Sequence, residues 1–259
     1  MKLKIYQIDA FAKKIFEGNP AAVCPLDSWI DDSLMQKIAA ENNLSETVFF
    51  VKEGDEFHIR WFTTEAEENL CGHATLASAY VLFELLNYEK DTIHFTSKSG
   101  ALQVYKSGDL YTLDFPRNDV ISIALEQKFL NAFDIKPIEV YKSMDYLVVF
   151  ENEDDIHNLI PNFEIIKEFD LRGVIVTAKS SKYDFISRFF DPNCGVQEDP
   201  VTGSSFTQLA PYWSKVLKKN NFFAKQVSKR GGEVICELKD KRVSISGHAV
   251  KYLEGEINV

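Results

Sequence analysis

The chain has 259 residues, 29 Lys and Arg against 39 Asp and Glu, and a net charge of -10. That length holds one large domain or two lobes of roughly 100–150 residues, each with its own core. With 45% hydrophobic and 26% charged residues the composition is globular, which excludes a disordered chain. The acidic balance excludes a general nucleic-acid binder, which needs an excess of Lys and Arg to neutralise phosphate. One local exception, Lys215, Lys218, Lys219, Lys225, Lys229 and Arg230, reads either as a solvated helix face and loop or as an anion-attracting rim.

The N-terminal Met1-Lys2-Leu3-Lys4-Ile5 alternates polar and apolar residues and predicts a strand rather than a signal peptide. Further strands are predicted at 3–9, 47–51, 58–62, 93–96, 110–115, 146–150, 173–178, 234–238 and 242–246. Helices are predicted at 31–43, capped by Asp31 or Asp32, and at 75–86, 121–133 and 205–219. Pro211 inside the last of these predicts a kink or a later start. The mixture gives an α+β class with mixed sheets. No apolar run approaches the roughly 20 residues of a membrane helix. Cys24, Cys71, Cys194 and Cys236 are widely spaced, which argues against a disulfide scaffold or structural zinc and for a reducing, cytoplasmic setting.

Phe115-Pro116-Arg117-Asn118-Asp119 marks a boundary near the midpoint, dividing the chain into 1–117 and 118–259, with the final segment a candidate to return to the first lobe. Two segments on either side resemble each other. His58-Ile59-Arg60-Trp61-Phe62 is followed by acids and then Gly72. Ile186-Ser187-Arg188-Phe189-Phe190 is followed by Glu198-Asp199 and then Gly203. This suggests a duplicated unit, each copy offering a glycine-led helix start whose free N–H groups and partial positive charge suit a carboxylate.

Titratable residues cluster near these starts. Glu46, at the head of an apolar strand, is either a partly desolvated acid/base with a raised pKa or a capping carboxylate. His73, beside Gly72, reads as a packed or capping histidine unless its neighbours say otherwise. Asp199 fits an Asx turn as well as a polar site group. Cys71 is either a buried small hydrophobe or a thiol activated by the helix start. Gly203 and Ser204 read as an N-cap or as an anion grip.

Ile8-Asp9-Ala10-Phe11, Gly18-Asn19-Pro20-Ala21-Ala22-Val23, Asn43-Leu44-Ser45-Glu46-Thr47, Cys71-Gly72-His73-Ala74-Thr75 and Glu198-Asp199-Pro200-Val201-Thr202-Gly203-Ser204 together resemble the PhzF (phenazine-biosynthesis-like) family. So do Ile245-Ser246-Gly247-His248-Ala249-Val250 and Leu253-Glu254-Gly255-Glu256, so that the likeness runs in order over nearly the whole chain. The resemblance implies a diaminopimelate-epimerase-like fold of two similar lobes, each a curved sheet around a central helix, with the active site between them. It also implies an isomerase that works without metal or organic cofactor on a small carboxylate-bearing metabolite, as a homodimer. In its terms Glu46 is the acid/base, His73 and Asp199 flank it, and Ser45, Gly72, Gly203 and Ser204 hold the substrate. Val201 and Thr202 stand where a second thiol would be, which disfavours a two-cysteine racemase. The rival readings are an epimerase or racemase using Cys71, and a non-catalytic small-molecule-binding protein. A hydrolase or kinase finds neither a Gly-x-Ser-x-Gly elbow nor a phosphate loop.

Overall fold

The computed structural model describes residues 1–194 and 196–259, with Cys194 and Val196 described by backbone alone. It divides into two compact units, Met1–Asp114 with Ser246–Val259, and Phe115–Ile245. Both are mixed α+β. In chain order the first holds β1 (Lys2–Ala10), β2 (Asn19–Leu26), α1 (Asp32–Asn42), β3 (Glu46–Glu53), β4 (Glu56–Phe62), β5 (Glu67–Glu68), α2 (Gly72–Tyr80), β6 (Thr92–Ser97), β7 (Gly100–Ser107) and β8 (Leu110–Pro116). The second holds β9 (Ile121–Ile123), α3 (Gln127–Asn131), β10 (Glu139–Lys142), β11 (Tyr146–Val149), α4 (Glu153–Asn158), α5 (Phe163–Ile166), β12 (Val174–Lys179), β13 (Phe185–Asp191), β14 (Val196–Asp199), α6 (Phe206–Leu217), β15 (Asn221–Gln226), β16 (Gly232–Leu238) and β17 (Arg242–Gly247). The last strand, β18 (Ala249–Asn258), lies in the first unit, antiparallel to β1.

Each unit is organised around one buried helix. Every residue of α2 from His73 to Ala79 is buried, and the helix packs against β1, β2, β3, β7 and β18. Its Ala74, Ala77 and Ala79 side chains are small enough for strands to close around it on several sides. Ser78 and Thr75 turn their hydroxyls back onto the carbonyls of Ala74 and Cys71, so neither brings an unpaired donor into the core. In the second unit α6 is buried from Phe206 to Trp213. Trp213 stacks on Phe185 at 5.4 Å and donates its indole N–H to Thr177.

The two units share one strand diagram. In the first, β2 is parallel to β3 (Ala22 opposite Thr47) and β3 antiparallel to β4 (Thr47 opposite Phe62). The strand β4 is antiparallel to β5 (Phe62 opposite Glu67) and parallel to β6 (Phe57 opposite Phe95). In the second, β11 is parallel to β12 (Tyr146 opposite Val174) and β12 antiparallel to β13 (Val174 opposite Phe190). The strand β13 is antiparallel to β14 (Phe190 opposite Glu198) and parallel to β15 (Phe185 opposite Ala224). The matched arginines carry the same clamp. Arg60 grips Glu67 through Nε and Nη2, both at 2.8 Å, over the Phe62 ring; Arg188 grips Glu198 at 2.7 and 3.0 Å over Phe190. The segment likeness seen in the sequence is therefore a repeated piece of structure.

Three elements depart from expectation. The predicted helix 121–133 is a short strand, β9, paired with β10, and only Gln127–Asn131 is helical; its apolar spacing misled because Ile121 faces solvent. The predicted helix 75–86 begins earlier, at Gly72, and its last turn, Val81–Leu85, is π-helical. The predicted 205–219 helix starts at Phe206 after a 3-10 turn at Gly203–Ser205, and Pro211 lies inside it. Pro211 has no N–H for the carbonyl of Thr207. That carbonyl accepts instead from the Asn118 N–H at 3.1 Å, and Asn118 Nδ2 donates to Thr207 Oγ1 at 2.9 Å, which removes most of the cost of an interior proline. No helix among the described residues is long and apolar enough to cross a membrane.

By these registers Glu46 corresponds to Gly173, whose missing side chain is occupied by a neighbour. A Cβ there would lie 2.5 Å from Phe189 Cζ and 2.9 Å from the Phe190 carbonyl oxygen. Gly173→Ala is expected to lower stability by about 1–3 kcal/mol through overpacking, measured as a shift of the urea midpoint at unchanged slope.

Candidate active site

Glu46 opens β3. The chain reaches it because α1 stops at Asn43, a left-handed residue at φ 49°, and turns through Leu44 and Ser45. Asn42 Nδ2 donates to Thr47 Oγ1 at 3.0 Å and closes that turn. His73 is the second residue of α2, delivered by the loop after β5. The two side chains meet: Glu46 Oε2 and His73 Nε2 are 3.0 Å apart, with side-chain exposures of 15% and 5%. Both atoms are buried and neither has an aligned hydrogen-bond partner elsewhere among the described residues. The pair is close in distance and imperfect in angle, as acid–base pairs often are before a ligand tightens them.

The other ring nitrogen has its own neighbours. Asn19 Nδ2 lies 3.2 Å and Cys71 Sγ 3.4 Å from His73 Nδ1. Turned about its Cγ bond, the Asn19 amide offers its oxygen to the Nδ1–H of a cationic ring. Asn19 opens β2 and is held in place by the loop before it. The Phe16 N–H donates to the buried Asp9 carboxylate at 2.9 Å. Gly18 sits at φ +66°, where a Cβ would come within 2.1 Å of the Ala10 carbonyl oxygen, so that only glycine fits. Asn19 belongs to a family-like motif that assigns it no role; the structure makes it a neighbour of the histidine.

Burial opposes a charge on His73, but its acidic neighbours Cys71 and Glu46 outweigh it, and the imidazole is held well above its ordinary value. Burial, then the charge of Glu46, pushes the Cys71 thiol up to about 11. The raised value disfavours a thiolate at neutral pH. Of the two readings of Cys71, this favours the buried small hydrophobe: burial exceeds the helix effect.

The start of α2 is electrostatically open. Its cap residue, Cys71, makes no side-chain capping bond, and the first turn holds no acid. The first amide to find a partner one turn back is that of Thr75, on the Cys71 carbonyl at 3.2 Å, so the Gly72 and His73 N–H groups are offered to a ligand. Ser45 is half-buried directly before Glu46.

Glu46, Cys71 and His73 place their donor atoms within 4.8 Å of one another, the spacing of a metal site. Yet the thiol approaches Nδ1 and the carboxylate Nε2. A single ion takes only one of those nitrogens. Cys24, Cys71 and Cys236 are buried and unpaired, and the side chain of Cys194 lies outside the described residues.

In the second unit Asp199 ends β14, and its Oδ2 accepts from the Thr202 hydroxyl. Gln226 ties the same turn, donating to the Asp199 carbonyl at 2.7 Å and accepting from the Thr202 N–H at 2.9 Å. Gly203 and Ser204 form the 3-10 turn before α6. Arg172, which motif reading passed over, donates through Nη2 to Ser204 Oγ at 3.1 Å.

Residues 8–255 match the family model described as phenazine biosynthesis-like protein. An uncharacterized isomerase of Pseudomonas aeruginosa is 48% identical over 259 residues, covering all of both chains. The crystal structure of a PhzF-family phenazine biosynthesis protein from Enterococcus faecalis matches with a TM-score of 0.98 at 45% identity, again covering both chains in full. A hydroxyproline epimerase from Agrobacterium vitis shares the fold alone, with a TM-score of 0.67 at 9% identity over 99% of this chain and 92% of its own. With a full-length match in sequence, in structure and in the motifs around Glu46 and His73, the chain belongs to the phenazine biosynthesis-like (PhzF) family and is an isomerase.

Proposed function

We propose that the chain is a cofactor-independent isomerase that moves a proton between two carbons of a small conjugated carboxylate, with Glu46 as the acid/base. The observation that carries this reading is the Glu46 carboxylate 3.0 Å from a buried His73 at an uncapped helix start. The ionised Glu46 removes a proton from an activated C–H. The electron pair passes into the conjugated system toward the substrate carboxylate, where the Gly72 and His73 N–H groups stabilise the added charge. The protonated Glu46 then returns its proton to the second carbon, restoring the carboxylate, and no electrons leave the substrate. His73, 3.0 Å away, keeps the Glu46 carboxyl oriented through both steps. Ser45, Asp199, Gly203 and Ser204 are assigned substrate-holding roles on the resemblance.

An epimerase using Cys71 is the weaker reading, since a thiol at about 11 is a poor base at neutral pH. The two readings separate by experiment. Small carboxylates are screened for thermal stabilisation, and hits are followed for deuterium uptake from solvent. Glu46→Gln is expected to slow exchange by roughly 10²–10⁴-fold in a protein that still folds. Cys71→Ser is expected to stay near the wild-type rate; full activity in Glu46→Gln refutes the mechanism.

The ion pair also sets a pH dependence. The His73 value is raised in the folded chain above the unfolded value of about 6.5. The stability it adds is therefore complete below about pH 6.5 and is lost as pH rises through the folded value. Denaturation midpoints of wild type and His73→Gln are expected to differ most near pH 6 and to converge in the alkaline range.

A further inference from the structure

The strand registers that match Glu46 with Gly173 also match Ala22 with Tyr146, and three residues before these stand Asn19 and Ser143. The interval from β5 to α2 repeats from β14, so that Cys71 matches Thr202, Gly72 matches Gly203 and His73 matches Ser204. The unit that has the carboxylate and the imidazole thus has the amide as well. The unit that lacks both has a serine in its place.

Within the first unit the amide meets the imidazole. Asn19 is fully buried, and its Nδ2 lies 3.2 Å from His73 Nδ1, while Glu46 Oε2 stands at the other ring nitrogen at 3.0 Å. Gly18 and the pairing of Ala10 with Asn19 fix the backbone before it, and Pro20 restricts it from the other side. Cys71 Sγ also lies 3.4 Å from Nδ1, but a thiol is a weak donor and a weak acceptor. The titratable groups acting on the ring are Cys71, from the turn before α2, and Glu46, from β3. On the other strands packed against α2, Asp9 of β1, Lys106 of β7 and Lys251 of β18 are engaged with the Phe16 N–H, Glu84 and Glu254.

Nδ1 changes its needs with the charge of the ring. With one proton, on Nε2, the ring leaves Nδ1 an acceptor; with two, Nδ1 is a donor. A buried Nδ1 without a partner in either state is costly. An amide meets both needs, since its NH2 donates and, turned about Cγ, its oxygen accepts. A carboxylate at this position would only accept, and an alkyl group would do neither. We infer that Asn19 is a positioning residue that pairs Nδ1 whether His73 carries one proton or two, so that the Nε2–H stays on Glu46 while the charge of the ring changes. This rests on Glu46 as the acid/base proposed above and goes beyond it by naming the group that governs its histidine.

Histidine-selective 15N labelling of the full chain reads the ring directly, with His73→Gln identifying its signals and His58, His94, His157 and His248 as controls. In wild type, Nε2 is expected to keep its proton on both sides of the ring's titration. Asn19→Leu is expected to lower the midpoint by about one pH unit, a roughly tenfold loss of proton affinity, because the doubly protonated ring loses a charge-assisted acceptor. Asn19→Asp is expected to raise it by at least as much, because its carboxylate favours the cation. The control histidines are expected to stay where they are. A packing role alone moves the midpoint alike in both variants or in neither. Either result overturns the inference, as does a wild-type ring whose neutral form carries its proton on Nδ1. If Asn19→Asp does not fold, the shift in Asn19→Leu decides. On a carboxylate from the stabilisation screen, Asn19→Leu is expected to slow deuterium exchange about tenfold in wild type and no further in His73→Gln. The expected ring shifts with full exchange in Glu46→Gln condemn only the mechanism; lost exchange in Glu46→Gln with an unmoved ring condemns only this assignment.

Discussion

A buried imidazole beside a largely buried carboxylate is the constraint on which the candidate site of the first unit depends. Taking either charge out of water alone costs several kcal/mol, and together they are tolerated only if geometry and hydrogen bonding compensate. The chain supplies that compensation from three separate strand and helix starts. Glu46 comes from the head of β3, His73 from the first turn of α2 and Asn19 from the head of β2. Each is fixed by a local device: the left-handed Asn43, the uncapped Cys71–Gly72 step, and the Asp9-anchored loop that ends at Gly18. The core helix packs so closely that none of these can shift without disturbing strands on several sides.

The duplicated framework explains how one half could change its chemistry without losing its fold. The Arg60–Glu67 and Arg188–Glu198 clamps sit outside the site positions and are retained in both units. The site positions have diverged: Glu46 against Gly173, His73 against Ser204, Cys71 against Thr202. At Gly173 the divergence is locked in, because the Phe189 ring fills the space a side chain would need. A framework held by its clamps and core leaves such positions free to specialise.

The fold was legible in the sequence where a local signal had one physical meaning. Asp31 accepts from the Ser33 N–H at the head of α1, as its place before an apolar-periodic run implied. The repeated Arg-x-Phe strand and following acids turned out to be a repeated clamp. The strand β2 carries Pro20 and Pro25, residues that ordinarily demote a strand, so its local signal is weak. The proline in α6 misled in the same way, since its missing donor is replaced by Asn118, far away in sequence. In the site, Glu46 and His73 were legible as types beside a glycine-led start. The raised imidazole of His73, the raised thiol of Cys71 and the contact of Arg172 with Ser204 were not, because burial and long-range pairing decide them.

The asymmetry between the halves bears on the kind of isomerisation the chain performs. Inverting a stereocentre with two bases needs a proton acceptor on one face of the carbon and a donor on the other. In the second unit, the residues matching Glu46, His73 and Cys71 are Gly173, Ser204 and Thr202, none of which exchanges a proton near neutral pH. Asp199, a carboxylate of the same unit, accepts the Thr202 hydroxyl within its own turn. A single carboxylate that removes a proton must return it from the side on which it took it. On the proposed mechanism the proton therefore migrates along one face of the conjugated system, and part of it is carried from carbon to carbon without exchanging, because the buried pair gives bulk water little access to the protonated Glu46.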